Sequence, residues 1–335
     1  MSGINSSFLV LFICAAVLYG TPLLYGTVGE ILSERAGNLN LGVEGMMYMG
    51  GACGLGAAFY YETAMINAGS TANGFVAVLL AILFAFLAGA VGALIFSFLT
   101  ITLRANQNVT GLALTIFGTG VGQFIGEYMR VSIGGFVSLS NELKAVFFDS
   151  PFPKAMQELP LVGPLLFGYN IFVYLGLVIA IVMAIFLSKS RAGLNLRAVG
   201  ENPATADAAG ININKNKYLA TVLGGGISAI GGMVYIMTIA GCVWNHEGLA
   251  GEGWLAVALV IFGLWRPLNA IWGSVLFGGL MIMYLRVNIP FIPSQIYQIL
   301  PYVVTVIVLI VVSMRKKREN QPPASLGNAY FREER

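Results

Sequence analysis

Polar side chains that interrupt apolar runs are the groups of this chain whose types and spacing could do chemistry. Asn38, Asn40 and Glu44 lie within or directly beside the start of one of these runs. Asn40 and Glu44 are four residues apart, so a helix would place both on one face. If the apolar stretches cross a membrane, these side chains must face protein or water, because lipid cannot satisfy them. They predict either the polar wall of a solute path or an internal hydrogen-bonded packing set.

A second polar cluster opens a later apolar run. Its members are Asn106, Gln107, Asn108 and Thr110. The amides could bind a polar solute or cap the start of a helix. Thr119 and Gln123 follow in the same run, again four residues apart, and would extend the polar face. This cluster is therefore a second candidate for a solute path, with helix capping as the alternative for its amides.

Patterns for catalysis and metal binding are absent from the sequence. It has no GxxxxGK[ST] phosphate loop, no GxSxG elbow and no HExxH pair. The three cysteines lie far apart without a CxxC spacing, and His246 is the one histidine. We therefore expect no enzymatic activity and no metal site in this chain.

The elements that position these residues are predicted to be membrane helices. Hydrophobic residues make up 57% of the 335 residues and charged residues 10%, with a mean hydropathy of +0.81. Soluble domains carry about 25% charged residues, which they need to cover their surface. The net charge is +3, and no basic stripe alternates with aromatic residues, so nucleic-acid binding has no support. The composition predicts a polytopic membrane protein.

Nine apolar runs approach or exceed the length of about 20 residues that a spanning helix needs. They cover residues 7–28, 39–60, 74–102, 108–127, 171–188, 218–240, 248–265, 271–289 and 297–314. The prediction is an all-α transmembrane helical bundle in residues 1–318, followed by a mobile cytoplasmic tail at 319–335. Because Lys and Arg concentrate on the cytoplasmic side, we expect the N-terminus outside and the C-terminus inside. This orientation leaves outside only Arg130, Lys144, Lys154 and Arg286.

Two of these runs open with glycine-rich polar segments, which predicts broken helices. Leu41–Gly45 resembles Leu249–Gly253, because both end in Glu-Gly ahead of an apolar run. The counterparts in the second segment are Glu252, Gly253 and Trp254. The two segments start on opposite predicted sides, as in inverted repeats whose matching breaks point to the substrate path. The alternative is a chance match in an apolar chain.

The segment 189–217 is the longest polar stretch on the predicted inner side. Within it, Asn202 suits a helix N-cap, Pro203 the first helical position and Gly210 the left-handed residue after the last turn. A helix this short is marginal alone, so another surface must pack against it. It is either a capped loop helix on its own membrane domain or a docking helix for a cytoplasmic partner.

Four motifs in their order resemble the ABC importer permeases of the branched-chain amino acid, simple-sugar and nucleoside superfamily. They are Leu32–Gly45, Ala105–Gly111, Leu194–Asn212 and Gly251–Gly263, within a similarity over about residues 15–314. Within the superfamily, the chain is most similar to the smaller permease of nucleoside-type systems. The resemblance implies a non-catalytic transport subunit in the bacterial cytoplasmic (inner) membrane.

The resemblance also implies partners. A separate cytoplasmic ATPase would bind ATP and Mg²⁺, and this chain would hold no cofactor. A second, related permease would form a heterodimer with this chain. An extracytoplasmic solute-binding lipoprotein would deliver the solute to the outer loops 128–170 and 241–253.

Roles for the candidate residues follow from the same resemblance. The cytoplasmic helix would be the coupling helix, docking on the ATPase through Glu201, Asn202, Pro203, Ala204, Asp207 and Gly210. Asn38–Gly45 and Asn106–Thr110 would line the translocation path. Nucleosides are the expected solute, and a simple sugar such as ribose is the alternative. A self-sufficient channel or an ion-coupled carrier, with Glu44 as its titrating group, is the alternative of another class.

Overall fold

The architecture comes from a computed structural model, which describes residues 6–286, 294–314 and 321–331. These residues form thirteen α-helices and one isolated bridge, between Ser138 and Val243. The helices are α1 Ser6–Arg35, α2 Val43–Asn67, α3 Gly74–Ser97, α4 Gln107–Ile133, α5 Asn141–Phe148, α6 Lys154–Gln157, α7 Ile171–Lys189, α8 Arg191–Glu201, α9 Pro203–Ala208, α10 Ile213–Val234, α11 Glu252–Phe262, α12 Pro267–Arg286 and α13 Ser294–Met314. π-helical turns prolong α3 over Phe98–Thr102 and α10 over Tyr235–Ile239. The prediction of a helical bundle is confirmed.

Each of the nine predicted runs lies on a helix, namely α1 to α4, α7 and α10 to α13. In the described part of the chain, five helical stretches are long and apolar enough to cross a membrane alone. They are Phe8–Arg35, Gly74–Thr102, Gln107–Ile133, Ile171–Lys189 and Ile213–Ile239. A multi-pass bundle follows from these, whereas nine crossings and the outside N-terminus stay predictions. Residues 287–289 of the eighth run and the basic cluster 315–318 lie outside the described residues.

The first helix continues beyond the apolar run 7–28 as far as Arg35. It carries Glu30 and Glu34 into the interior, where they are 1% and 2% exposed. Glu30 Oε1 accepts the backbone N–H of Asn40 at 3.0 Å, and Glu34 accepts the indole N–H of Trp265. These hydrogen bonds replace some of the water that buried carboxylates lose. Hydropathy alone places both carboxylates outside the span, because it reflects the charge of a residue and takes no account of hydrogen-bond donors elsewhere in the fold.

Helix α10 lies at the centre of the bundle and packs against α1, α2 and α3. Its glycines let the backbones approach closely. A Cβ on Gly224 would lie 2.4 Å from the carbonyl oxygen of Gly29 in α1, and a Cβ on Gly232 would lie 1.9 Å from that of Met47 in α2. Small residues commonly permit such contacts between membrane helices. The glycines of α10 therefore allow α1 and α2 to pack directly on its backbone.

The seventh predicted run contains a broken helix. α11 has 11 residues, which rise about 16 Å and cover roughly half of a bilayer core. It begins after Gly251, whose φ is +90°, and ends before Leu264 and Trp265, both with φ of +56°. Trp244 lies apart from this helix and donates its backbone N–H to Val137 O at 3.2 Å. The prediction of a break at this glycine-rich opening is confirmed.

A buried carboxylate of α2 contacts the predicted outer loop 128–170. Glu62 in α2 is 6% exposed, and both of its oxygens lie 3.2 Å from the backbone N–H of Ser140. The Ser140 hydroxyl in turn accepts the backbone N–H of Leu143 at 3.3 Å and caps α5. Glu62 therefore determines where α5 begins on the bundle surface.

The C-terminal tail contacts the opposite end of the bundle. Ser325 is 8% exposed, and it donates its backbone N–H to Gly200 O at 3.0 Å and its hydroxyl to the same oxygen at 2.6 Å. Gly200 lies in the last turn of α8, where carbonyl groups have no helical partner. The tail satisfies this carbonyl, and the mobile end expected for 319–335 stays a prediction. The rest of the tail lies outside the described residues.

Candidate functional site

Two residues of the first polar cluster, Asn38 and Asn40, lie in the loop between α1 and α2. Asn38 and Asn40 are completely buried. Asn38 Nδ2 donates to the hydroxyl of Thr221 in α10 at 2.7 Å, and Asn40 Oδ1 accepts the backbone N–H of Gly42 at 3.0 Å. Both side chains are therefore engaged in holding the loop. This geometry favours the packing interpretation of the two asparagines over direct contact with a solute.

The second cluster begins α4 and packs on the first. Asn106 is the N-cap of α4, and its Oδ1 accepts a backbone N–H of the first turn at 3.1 Å. Gln107 is 3% exposed, and its Oε1 accepts the backbone N–H of Leu39 at 2.7 Å. Further along α4, the hydroxyl of Thr115 donates to Leu41 O at 2.7 Å. The capping alternative therefore holds for Asn106, and α4 fixes the loop from the side opposite α10.

The other candidates on α4 are spread along the helix. Thr110 is buried, Asn108 is exposed and Thr119 is half-buried. Gln123 Nε2 donates to His246 O at 3.3 Å, in the C-terminal half of the helix. Thr119 and Gln123 lie on one side of α4, as their spacing of four residues predicts. This side of α4 remains the candidate wall for a solute path, and it is separate from the hydrogen-bonded network around Asn38.

Glu44 joins the two segments that resemble each other in sequence. It lies in the first turn of α2, and its carboxylate accepts the backbone N–H groups of Gly251 at 2.9 Å and Trp254 at 3.3 Å. These donors belong to the start of α11, where backbone N–H groups lack helical partners and negative charge is favourable. A Cβ on Gly253 would lie 2.3 Å from Glu44 Cα. Glu44 therefore caps the broken helix from a neighbouring helix.

Glu252, the sequence counterpart of Glu44, lies at the first position of α11. It is 4% exposed, and its Oε2 has no hydrogen-bond partner within the described residues. It is close enough to Glu44 for the two carboxylates to interact electrostatically. The two resembling segments thus meet at one crossing, where each contributes a glutamate from a first helical turn. The inverted repeat itself stays a prediction.

Three buried ionisable residues near the network around Asn38 were not predicted as site residues: Glu30, Glu34 and Lys217. Lys217 lies in the first turns of α10 and is 3% exposed. The available signal for the glutamates was their spacing of four residues, which places both on one face of α1. Because Glu30 and Glu34 follow the apolar run 7–28, the sequence instead suggested that they lie at the membrane surface.

The short helix of the segment 189–217 is present as the sequence predicts. α9 begins with Pro203, and Asn202 Oδ1 accepts the backbone N–H of Thr205 at 3.0 Å. Gly210 has a φ of +83°, in the left-handed region. The N-cap, the proline and the terminating glycine are therefore confirmed as structural features of this helix.

One side of α9 rests on the bundle and the other is open. Ala206 is 3% exposed and packs with Val199 of α8 and Ile213 of α10. Ala204 and Asp207 are half-buried, whereas Glu201 and Asn202, at the junction of α8 and α9, are exposed. The open side offers a small surface that a cytoplasmic partner could contact.

A cavity of about 500 Å³ lies beside α9. Asp207 and Gly210 line it together with Arg104, from the loop before α4, and Tyr330, from the tail. The cavity shows that the predicted coupling segment, the loop that leads into α4 and the tail share one surface of the bundle.

Comparison with known proteins identifies the family. Residues 12–312 match the family described as branched-chain amino acid transport system / permease component. The chain belongs to this permease family. The match extends from α1 into α13. It therefore includes the loops before α2 and α4, the helix α9 and the contact of Glu44 with α11.

Several relatives of this permease are named as subunits of ABC transporters. A protein of Haloferax volcanii named as a glucose ABC transporter permease is 36% identical over 81% of this chain and 76% of its own. The nucleoside ABC transporter permease of Lactococcus lactis is 31% identical over 90% and 92% of the two chains. The guanosine ABC transporter permease of Bacillus subtilis is 29% identical over 90% and 91%. The permease is thus a multi-pass membrane component of the ABC transporter class.

The Glu44 cap on α11 leads to a first prediction. Glu44→Gln keeps one acceptor oxygen and replaces the other with an amide that cannot accept a backbone N–H. We expect the unfolding free energy of the permease to fall by about 1–3 kcal/mol, because one buried donor of α11 loses its partner. Thermal unfolding of the purified protein measures this change. Glu247→Gln, at an exposed position of the preceding segment, is the matched control, and equal effects of the two substitutions would contradict the capping role.

Proposed function

We propose that this permease is the membrane-spanning subunit of an ATP-driven importer for nucleosides. The observation that carries the proposal is the similarity, over nearly the whole chain, to relatives named for nucleoside and guanosine transport. The chain has no phosphate loop of its own. The energy for transport would therefore come from a separate ATPase.

The proposed importer has four kinds of component. Two related permeases, of which this chain is one, form a heterodimer in the bacterial cytoplasmic membrane. The ATPase binds ATP and Mg²⁺ on the inner side, and a solute-binding lipoprotein delivers nucleoside on the outer side. Family membership supports this composition, because the relatives are named as components of ABC systems.

Transport in this proposal begins at α9. The open side of α9 docks on the ATPase, and closure of the ATPase on ATP moves the helix. Because Ala206 packs on α8 and α10, the movement passes into α10, which packs against α1, α2 and α3. The solute then passes between the two permeases, along a wall that includes Thr119 and Gln123. Asn38, Asn40 and Gln107 serve this step indirectly by holding the loop before α2.

A simple sugar is the second candidate solute. The relative from Haloferax volcanii, named for glucose, is 36% identical to this chain, and a fructose import permease of Bifidobacterium longum is 22% identical. Both alignments cover less of the relative, 76% and 74%, than the alignments with the nucleoside permease of Lactococcus lactis and the guanosine permease of Bacillus subtilis, which cover 92% and 91%. We favour nucleosides for this reason, and uptake measurements separate the two solutes.

An ion-coupled carrier would use Glu44 as a group that gains and loses a proton. In the structure, Gly251 and Trp254 donate backbone hydrogens to its two oxygens, and the residue is 8% exposed. A carboxylate held in this way suits a fixed cap better than a group that must open to solvent in each cycle. This geometry favours the ATP-driven function.

The decisive experiment reconstitutes the permease with its ATPase, the second permease and the binding protein in liposomes. We expect labelled guanosine to accumulate only with ATP, and excess ribose or glucose not to compete. Accumulation of sugar in place of guanosine would overturn the nucleoside assignment and keep the ABC function. Guanosine movement by the purified chain alone, driven by a proton or sodium gradient, would overturn the ABC function itself.

A further inference from the structure

The tail after α13 binds to the end of α8. Besides the two bonds of Ser325 to Gly200, the backbone N–H of Ala324 donates to Glu201 Oε2 at 3.4 Å. Pro323 is buried at the same place, and Leu326 packs in the apolar cluster of the inner ends of α1 and α7. This first part of the tail is therefore anchored by both polar and apolar contacts.

The second part of the tail reaches α9. The Tyr330 hydroxyl donates to Asp207 Oδ2 at 2.8 Å. The Tyr330 ring packs beside the apolar cluster of Val199, Ala206 and Ile213, so the tyrosine contacts α9 and its two neighbouring helices together. A hydrogen bond to a charged carboxylate is stronger than one between neutral groups. We therefore expect a movement of α9 to displace the tail as well.

The same stretch also contacts the beginnings of both polar loops. Gly327 donates its backbone N–H to Gly37 O at 3.4 Å, one residue before Asn38. Arg104 precedes Asn106 by two residues, and its guanidinium lies 4.7 Å from the centre of the Phe331 ring. Such a stack of a cation on an aromatic face is attractive. A single segment of eleven residues thus bridges α8, α9 and the two loops that precede α2 and α4.

We propose that residues 321–331 form a strap that transmits movement of α9 to the loops at Gly37 and Arg104. The proposal rests on the proposed function, because it assumes that the ATPase moves α9. The strap works in parallel with the packing of Ala206 on α8 and α10. It differs from that packing in reaching Gly37 and Arg104 directly. Tyr330 and Phe331 are positioning residues in this scheme and contact no solute.

Two substitutions test the strap without removing its anchor at Ser325. Tyr330→Phe deletes the hydroxyl that binds Asp207, and Phe331→Leu deletes the ring beneath Arg104. In the reconstituted importer, we expect the solute taken up per ATP hydrolysed to fall at least about five-fold in the double variant, as for a lost coupling between sites. Phe331→Tyr keeps the ring and should keep the ratio. Tyr60→Phe, at an exposed position far from the tail, is the matched control.

An unchanged ratio in the double variant, or lower recovery of the complex with a normal ratio, would overturn the strap and leave a purely structural tail. Hydrogen exchange of the permease without ATP gives a second readout that does not depend on transport. The strap predicts faster exchange in residues 203–210 and 37–42 together in the double variant. Faster exchange in 203–210 alone would contradict it. Absence of ATP-driven uptake in the unmodified importer would instead refute the proposed function, while the exchange result still decides the strap.

Discussion

Gly253→Val should abolish transport by preventing the crossing of α2 and α11. A Cβ at this position would lie 2.3 Å from Glu44 Cα and 2.4 Å from Glu44 N. These are backbone atoms in the first turn of a helix held by α10, so they cannot move away as a flexible side chain would. Overpacking in a tight core costs about 1–3 kcal/mol, and separation of the helices adds the loss of the hydrogen bonds that Glu44 accepts from Gly251 and Trp254.

The measurement is the yield of folded permease after extraction, followed by ATP-driven uptake of whatever assembles. We expect uptake to fall by at least tenfold, as a destabilisation of a few kcal/mol implies. Gly120→Val is the matched control, because no atom lies within 4 Å of a Cβ on Gly120 in α4. Normal yield and uptake for Gly253→Val would show that α2 and α11 do not meet in this way.

Gly210→Val should stop ATP-driven uptake while the permease still inserts and folds. Gly210 has a φ of +83°, and no atom lies within 4 Å of a Cβ placed there. The substitution therefore acts through the backbone, at a cost of about 1–2 kcal/mol for a side chain in the left-handed region. The chain can relieve this strain by changing the turn after α9, which shifts the helix that we propose docks on the ATPase.

Gly69→Val provides a control with the same backbone strain. Gly69 has a φ of +68° and equally open surroundings, but it lies in the turn between α2 and α3, at the end away from α9. We expect uptake to fall at least tenfold for Gly210→Val, since small misplacements of a working element are costly, and to remain near normal for Gly69→Val. Similar losses in both would point to general destabilisation in place of coupling.

The parts of this fold that could be predicted are those with local signals. Asn202, Pro203 and Gly210 each occupy the position in α9 that their own backbone preferences favour. The apolar runs also identified their helices, because hydropathy is a local property of a continuous stretch of sequence. The break before α11 followed from the glycines of the segment itself.

The functions of single polar residues were less predictable, because they depend on partners distant in sequence. Asn38 binds Thr221, and Glu44 binds Gly251, across separations of 183 and 207 residues. Nothing in the local sequence of Asn38 or Glu44 distinguishes a packing role from contact with a solute. The contact of Ser325 with the carbonyl of Gly200 was equally hard to predict, because the two residues are 125 positions apart in the sequence.

The position of the tail at the end of the chain also determines when its contacts can form during biosynthesis. Ser325 is 125 residues downstream of its acceptor Gly200, so translation at about 5–20 residues per second separates the two by about 6–25 s. During that interval only water can satisfy the carbonyl of Gly200, and Asp207 of α9 lacks its hydrogen bond from Tyr330. The surface beside α9 thus takes its final form only after α13 has been made. A chain interrupted shortly after α13 would contain α1 to α13 and still lack the contacts that the tail makes with Gly200 and Asp207.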